Sequence, residues 1–228
     1  MSYTYSYPRP SVATDICIFT INEDGEPAIV LIDRKEEPLG FAIPGGFLRE
    51  NETLDMCAER ELEEETGIRT DKIYHFANFS DPERDPREQD GYRLRVISVA
   101  YFALLPLNEF VLKASTDARE AKLFPLFPDS KLPKLAFKDH KNILDAGLDA
   151  LRNKIVKEFL ALEIMPKTFT LPELNSVYNK FRVSQFSNSA NFNRHIKGSM
   201  IDKGIIRFTG EKRVGQGQMG PPTRIYSK

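Results

Sequence analysis

The sequence predicts an α+β protein built as two unequal domains, residues 1–160 and residues 161–228, and three observations support this. The first third alternates β-rich runs with tight turns and then enters one well-capped helix. A long apolar stripe near residues 139–162 is broken at Met165-Pro166, where the restriction that proline places on its predecessor marks a boundary. The charge also changes sign: residues 1–165 carry 21 Lys+Arg against 30 Asp+Glu, whereas residues 166–228 carry 11 against 3. The overall charge of −1 thus conceals an acidic front and a basic tail, the footprint of a nucleic-acid-binding module joined to something else. At about 100–200 residues per domain, 228 residues accommodate such a pair.

In chain order, Val12 to Ile21 reads as a strand of nearly continuous apolar character. Asn22 to Glu26 supplies a hairpin turn, and Ala28 to Ile32 returns. Phe41 to Ile43 is a short strand ending at Pro44-Gly45-Gly46. The helix from Leu54 to Thr66 has Thr53 as N-cap, Asp55 in its first turn and Gly67 as the terminating glycine. Ile73 to Phe79 and Arg95 to Leu105 are further strands, separated by the charged, proline-broken loop Asp81 to Gly91. Residues Pro106 to Pro133 read as a proline-rich loop wrapping the sheet. From Asp139 to Leu162, the residues Ile143, Leu144, Leu148, Leu151, Ile155, Phe159 and Leu162 form one apolar stripe of a long helix. Thr170-Leu-Pro-Glu173 is a capping box opening a helix through Phe181. A second helix runs from Ser189 to Asp202 and stops at Gly204. Ile205 to Thr209 is a strand, Gly210 to Pro222 a basic glycine-rich hairpin, and Thr223 to Tyr226 pairs back.

With 41% hydrophobic and 29% charged residues, the composition fits a globular protein with a buried core and excludes fibrous and disordered classes. No apolar run approaches the roughly 20 residues of a membrane span, and the polar start lacks the basic-then-apolar pattern of a signal segment. The expected location is therefore the cytoplasm, with no membrane partner. Cys17 and Cys57 sit in apolar segments without paired spacing, which predicts buried thiols rather than a disulfide or zinc site. His75, His140 and His195 lack metal-ligand spacing and read as structural or surface residues.

The strongest signal is Gly46-x5-Glu52-x7-Arg60-Glu61-Leu62-x-Glu64-Glu65-x-Gly67-Ile68. On a helix, Glu61, Glu64 and Glu65 stand at i, i+3 and i+4, so three carboxylates share one face. Such like charges repel unless a divalent cation reverses the sign, and hard oxygen donors suit Mg²⁺, which also binds substrate phosphates. Glycine at 45 and 46 lets backbone approach the same spot, and Arg60 with Glu52 forms an ion pair tying loop to helix. These residues match the Nudix box, and the chain resembles the Nudix family. That resemblance implies an α/β/α sandwich, with Mg²⁺ or Mn²⁺ held by Glu61, Glu64 and Glu65 and completed by the Gly45 carbonyl. It also implies water attack on the phosphorus of a nucleoside diphosphate linked to another moiety, with one of the glutamates as base. Arg60 and Glu52 join the three glutamates as candidate catalytic residues.

The segment Asp81-Pro-Glu-Arg-Asp-Pro-Arg87 resembles Nudix proteins that handle ADP-ribose, and Pro82 stands near the position where many ADP-ribose pyrophosphatases carry a proline. Arg84 and Arg87 suit bidentate phosphate contact; with Arg34 and Gly46 they are the candidate ligand-binding residues.

The tail, with Phe169-Thr-Leu-Pro-Glu-Leu174, Asn191-Phe-Asn-Arg194 and Pro221-Pro-Thr-Arg-Ile-Tyr226, resembles the winged helix of Nudix-related transcriptional regulators of the NrtR type. Its Gly-Gln-Met-Gly-Pro-Pro departs from the more usual Gly-Arg-Pro wing. In the second tail helix, Phe192, Ile196, Met200 and Ile201 face a core, while Asn188, Asn191, Asn193, Arg194 and Lys197 face outward. Asn and Arg suit adenine and guanine edges, and Lys suits phosphate. Lys212, Arg213 and Arg224 lie on or beside the hairpin.

The resemblance implies a homodimeric regulator that binds a double-stranded DNA operator, responds to ADP-ribose or a related nucleotide diphosphate, and controls NAD or sugar metabolism genes. The alternative expectation is a Mg²⁺-dependent pyrophosphohydrolase that splits ADP-ribose to AMP and ribose 5-phosphate, an activity that is compatible with regulation in one chain.

Overall fold

The computed structural model describes residues 9–89, 91–109, 112, 118–183, 186, 188–213 and 222–228. It divides into two compact units, Met1–Leu151 and Arg152–Lys228. In chain order the elements are β1 (Ser11–Ile21), β2 (Pro27–Arg34), β3 (Phe41–Ala42), β4 (Gly45–Phe47), α1 (Leu54–Thr66), β5 (Tyr74–Phe79), β6 (Glu88–Gln89), β7 (Tyr92–Arg93), β8 (Val96–Leu104) and β9 (Ala118–Pro125). They continue with α2 (His140–Lys157), β10 (Thr168–Thr170), α3 (Leu171–Lys180), α4 (Ser189–Ile196), β11 (Arg207–Arg213) and β12 (Thr223–Ser227).

In the first unit, the sheet runs β3-β2-β1-β8-β5, with β4 paired to β1 and β9 to β2. Among the described strands, β1 and β8 form the parallel pair, from Ser11↔Val96 to Phe19↔Leu104. Ile16, Cys17, Ile18 and Phe19 are all 0% exposed, so both faces of β1 are covered. A strand buried on two sides loses the polar alternation of a half-exposed one, which is why its sequence is continuously apolar. Ile16, Ile18, Val99, Tyr101 and Ala103 point toward Ala58 and Leu62 of α1. On the opposite face Cys17 lies under α2, where Gly147 would place a Cβ only 3.2 Å from both its sulfur and the Phe76 ring. The unit is an α/β/α sandwich.

The second unit has a three-stranded sheet, β10-β12-β11, against α3 and α4. Thr170 and Glu173 form the complete capping box at the start of α3. Phe169, Leu174, Tyr178, Phe181, Phe192, Ile196 and Met200 supply its core. The Tyr178 ring meets Phe192 edge-on at 5.2 Å, and its hydroxyl donates to the Ile155 carbonyl. This is a winged helix-turn-helix.

Three expectations are corrected. The segment 106–133 is not loop throughout, because β9 pairs with β2 along Ala28↔Pro125 to Arg34↔Ala118. The exposed Glu120–Lys122 ion pair dilutes its apolar signal, and the buried Ala121 between them is too small to restore it. The long helix ends at Lys157 rather than Leu162. Phe159 takes a left-handed φ of 59°, and a short 3-10 helix (Leu160–Ile164) follows. The apolar stripe continues past the break because Leu160, Ala161 and Met165 are themselves core residues, so periodicity alone does not mark the stop. The second tail helix is regular only to Ile196 and becomes a π-turn over Lys197–Ile201. In addition, β11 reaches Arg213 with every residue exposed, leaving no alternation to read. The tip of the expected hairpin, residues 214–221, lies outside the described residues, as do residues 1–8.

Candidate functional site

Local sequence fixes the rotation of α1. Thr53 accepts from the Met56 amide, and Gly67 closes the other end at φ 77° with its N–H on the Glu63 carbonyl. Burying Cys57, Ala58 and Leu62 against the sheet turns Glu61 and Glu65 toward the Gly45-Gly46 turn. The Gly45 amide donates to Glu65 Oε2 at 2.7 Å. A Cβ on Gly46 would lie 2.3 Å from the Glu61 carboxyl carbon, so only glycine leaves room for that carboxylate.

Arg60 is the hub of the acidic face. Its guanidinium reaches Glu52 at 2.6 Å, Glu61 at 2.5 Å and Glu64 at 3.0 Å, and also donates to the Phe47 carbonyl. Glu52 accepts the Arg49 amide, and the Arg60 hydrogen bonds hold its carboxyl down at about 2. Glu64 turns outward to Arg49 at 3.2 Å. Glu61 and Glu65 therefore share the glycine turn while Glu64 is drawn to two arginines, and the described residues contain no ready-made cluster of three acidic ligands.

The donors nonetheless fit a divalent cation. Burial, only partly offset by the Gly45 amide, pushes Glu65 up to about 8. Burial also raises Glu61 against the pull of Arg60. Two adjacent carboxyls raised by burial are what a hard cation relieves. The sign of the Glu65 effect follows: its stabilising contribution is complete below the ordinary value near 4.5 and is lost as pH rises toward 8. The melting temperature of the metal-free protein, relative to that of Glu65→Gln, is expected to fall between pH 5 and 8, and Mn²⁺ is expected to recover it at pH 8. Thermal denaturation with EDTA and with Mn²⁺ measures both, and a difference insensitive to pH and to Mn²⁺ would rule the cation site out.

Beside the glycine turn lies a cavity of about 110 Å³ lined by Asp15, Arg34, Gly45, Gly46, Phe47, Arg84, Asp85, Arg87, Phe137 and His140, among others. Ordinary ligand pockets enclose roughly 300–1,000 Å³, so this one would enclose part of a nucleotide and leave the rest outside. Arg34 and Arg87 stack on the Phe137 ring at 5.0 and 5.5 Å, and Arg87 also stands over Phe47. Burial first, then the neighbouring Arg87, lower the Arg34 pKa. Arg87 is anchored by Asp85 at 2.6 Å.

Arg84 lines the same cavity but is held by two acids, Asp15 at 3.1 Å and Asp139 at 2.7 Å. Ser98 donates to the Asp15 oxygen that also receives Arg84. His140 is 3% exposed and accepts the Ile43 amide on Nδ1 at 3.1 Å; burial lowers its pKa, which keeps it neutral. Asp15, Ser98, Phe137, Asp139 and His140 were not among the expected site residues. One signal existed: Asp15 is a lone acid inside an otherwise apolar strand. His140 gave none, since its neighbours across the cavity come from positions as distant as 15 and 43.

In the second unit, Asn188 caps α4 by accepting the Asn191 amide. Asn191, Asn193, Arg194 and Lys197 are exposed on the face opposite Phe192 and Ile196. Lys212 and Arg224 face each other across β11 and β12, and Arg224 stacks on Phe208 at 5.3 Å. Arg213 is bound by both oxygens of Glu173, at 2.5 and 2.7 Å.

A sandwich that sets a glutamate-rich helix beneath a glycine turn, followed by a winged helix, defines a Nudix-type domain carrying a second module. The family model described as NUDIX domain matches residues 12–146, and the chain belongs to the Nudix family. Over 224 residues it is 31% identical to the "ADPR responsive transcriptional repressor NtrR" of Acinetobacter baylyi, covering 96% of this chain and 82% of that protein. It is also 40% identical over 140 residues to an ADP-ribose pyrophosphatase of Methanocaldococcus jannaschii, covering 60% of this chain and 73% of that protein. In fold, it is similar to the crystal structure of Shewanella oneidensis NrtR complexed with a 27mer DNA, at a TM-score of 0.71 and 24% identity over 95% of this chain and 92% of that one.

Proposed function

We propose that this protein is a DNA-binding transcriptional regulator whose Nudix domain binds ADP-ribose or a closely related nucleotide diphosphate. The observation that carries this is the similarity to an ADP-ribose-responsive repressor through both units rather than through the Nudix domain alone. In this reading, Arg34 and Arg87, fixed on Phe137, take the diphosphate beside Gly46. Arg84 acts as a strut between Asp15 and Asp139. Glu61, Glu64, Glu65 and the Gly45 carbonyl hold Mg²⁺ or Mn²⁺, while Arg60 and Glu52 position the helix. When bound, the ion would supply neutralisation of the diphosphate charge. In the second unit, α4 presents Asn188, Asn191, Asn193, Arg194 and Lys197 to base edges and phosphates of a double-stranded operator, and Lys212 and Arg224 contact phosphate. Arg213, engaged by Glu173, fixes the root of the wing. The protein acts in the cytoplasm as a homodimer whose symmetry matches two half-sites, and it controls NAD or sugar metabolism genes. Ligand and DNA influence each other through one coupling energy, so ADP-ribose shifts DNA affinity by the factor by which DNA shifts ADP-ribose affinity.

A gel shift with the DNA upstream of the protein's own gene tests this. Wild type is expected to bind at moderate salt. Arg194→Ala with Lys197→Ala should weaken binding and flatten the slope of log affinity against log salt by about 1, since the one phosphate that Lys197 neutralises contributes about 0.9. No binding with or without ADP-ribose would defeat the proposal.

The two cation-seeking carboxyls under the glycine turn also favour a second activity in the same protein, Mg²⁺-dependent hydrolysis of ADP-ribose to AMP and ribose 5-phosphate. Release of AMP above the blank, abolished in Glu64→Gln, is the result expected of it.

A further inference from the structure

We infer that the deep end of the Nudix cavity is a hydroxyl-recognition subsite, in which His140 Nε2–H and Asp15 Oδ1 together bind one ribose hydroxyl of the ligand. The inference rests on the reading that the cavity takes a nucleoside diphosphate compound, and it names the part of that compound enclosed.

The Ile43 amide donates to His140 Nδ1, so this nitrogen carries no proton, and the neutral ring presents its N–H at Nε2. Asp15 has Oδ2 committed to Ser98 and Arg84, leaving Oδ1 as the remaining acceptor. Nε2 and Oδ1 lie 3.7 Å apart, beyond the reach of a hydrogen bond to each other but spaced so that one oxygen about 2.7–3.0 Å from each satisfies both. Both residues are buried, at 3% and 8% exposure, and both line the cavity.

The group that completes this pair must accept from the imidazole and donate to the carboxylate. A hydroxyl does both. A phosphate oxygen has no proton to give and is repelled by Asp15, an unprotonated aromatic ring nitrogen only accepts, and an ammonium only donates. Arg84 is shared between Asp15 and Asp139, so it leaves no positive charge over for an anionic group. Phe137 joins the two ends: it carries Arg34 and Arg87 and packs against the His140 ring at 4.8 Å. The cavity therefore has an anion end and a hydroxyl end. Its volume of about 110 Å³, well under the roughly 300–1,000 Å³ of a full ligand pocket, encloses part of the ligand rather than a whole nucleoside.

The hydroxyl can come from the terminal ribose or from the ribose of the nucleoside, and three ligands separate the sources: ADP-ribose, ADP, which lacks the terminal sugar, and the 2′,3′-dideoxyadenosine form of ADP-ribose. Isothermal titration of the full chain with Mg²⁺, with ligand integrity checked by chromatography, compares wild type with His140→Asn. Asparagine keeps an acceptor for the Ile43 amide and removes the distal N–H. Wild type is expected to bind ADP-ribose about ten-fold more tightly than one of the two truncated ligands, and His140→Asn to bind that pair equally. Weak binding of ADP assigns the terminal ribose, and weak binding of the dideoxy ligand assigns the nucleoside. Equal affinity of wild type for all three overturns the subsite whether or not the variant folds, as does a preference that survives in His140→Asn. Failure of wild type to bind any of them overturns the nucleotide reading itself.

Discussion

Gly45→Ala is expected to lower folding stability by about 3 kcal/mol or more and to remove ligand binding with it. An added Cβ would stand 2.0 Å from the Thr14 carbonyl oxygen, 2.9 Å from its carbon and 3.0 Å from the Asp15 Cα. All three atoms belong to the backbone of β1, where Asp15 is paired with Gly45. Overpacking costs about 1–3 kcal/mol when side chains can yield, and more when they cannot. Here the obstacle is a central strand covered on both faces. Gly46→Ala provides the contrast, because the three atoms nearest its Cβ are those of the Glu61 carboxylate, at 2.3 to 2.6 Å, and the end of a long side chain can swing away. That variant should fold near wild type and bind Mn²⁺ more weakly. Urea denaturation and Mn²⁺ titration separate the two, and a Gly45→Ala protein within 1 kcal/mol of wild type would contradict the packing described.

Arg84→Ala is expected to cost about 3–5 kcal/mol, the range for removing one partner from a buried ion pair. The change strands two carboxylates, on Asp15 and Asp139, whose side chains are 11% and 12% exposed. Asp139 already has one buried oxygen without a partner, so it has no reserve of hydrogen bonds. Stranded carboxylates prefer to be protonated, so the deficit should shrink as pH falls toward 5. Asp15→Asn with Asp139→Asn should restore much of the loss in the Arg84→Ala background. Equilibrium denaturation across pH 5–8 measures all of this, and a loss below 1 kcal/mol at pH 7 would show that the pairing is not structural.

How much of this could be read from the chain depended on whether the determining interactions were local. The limits of α1 were fully legible because Thr53 and Gly67 act within four residues of the turns they close, and the same holds for Thr170 and Glu173 at α3. Nothing local marked β9, whose partner β2 lies some ninety residues earlier and whose outward residues are charged. The stop at Lys157 was masked because apolar residues continue in the next segment, for a different core. At the site, box spacing located the glutamates but not their partners. Arg49, which draws Glu64 outward, looks like any loop cation in sequence. Arg84 and Arg87 are three positions apart in one loop, yet the first is bound by acids at 15 and 139 and the second by its neighbour Asp85. Only the closed sheet brings residues 15, 43 and 140 to one wall.

The carboxylate of Glu173 closes the first turn of α3 while gripping Arg213 at the end of β11. One side chain thus serves two masters, and its replacement would disturb helix initiation and hairpin geometry in the same stroke. Positions 173 and 213 should consequently drift slowly and in concert among descendants of this chain. Lys212 and Arg224, which have no ion-pair duty among the described residues, can change without breaking such a link.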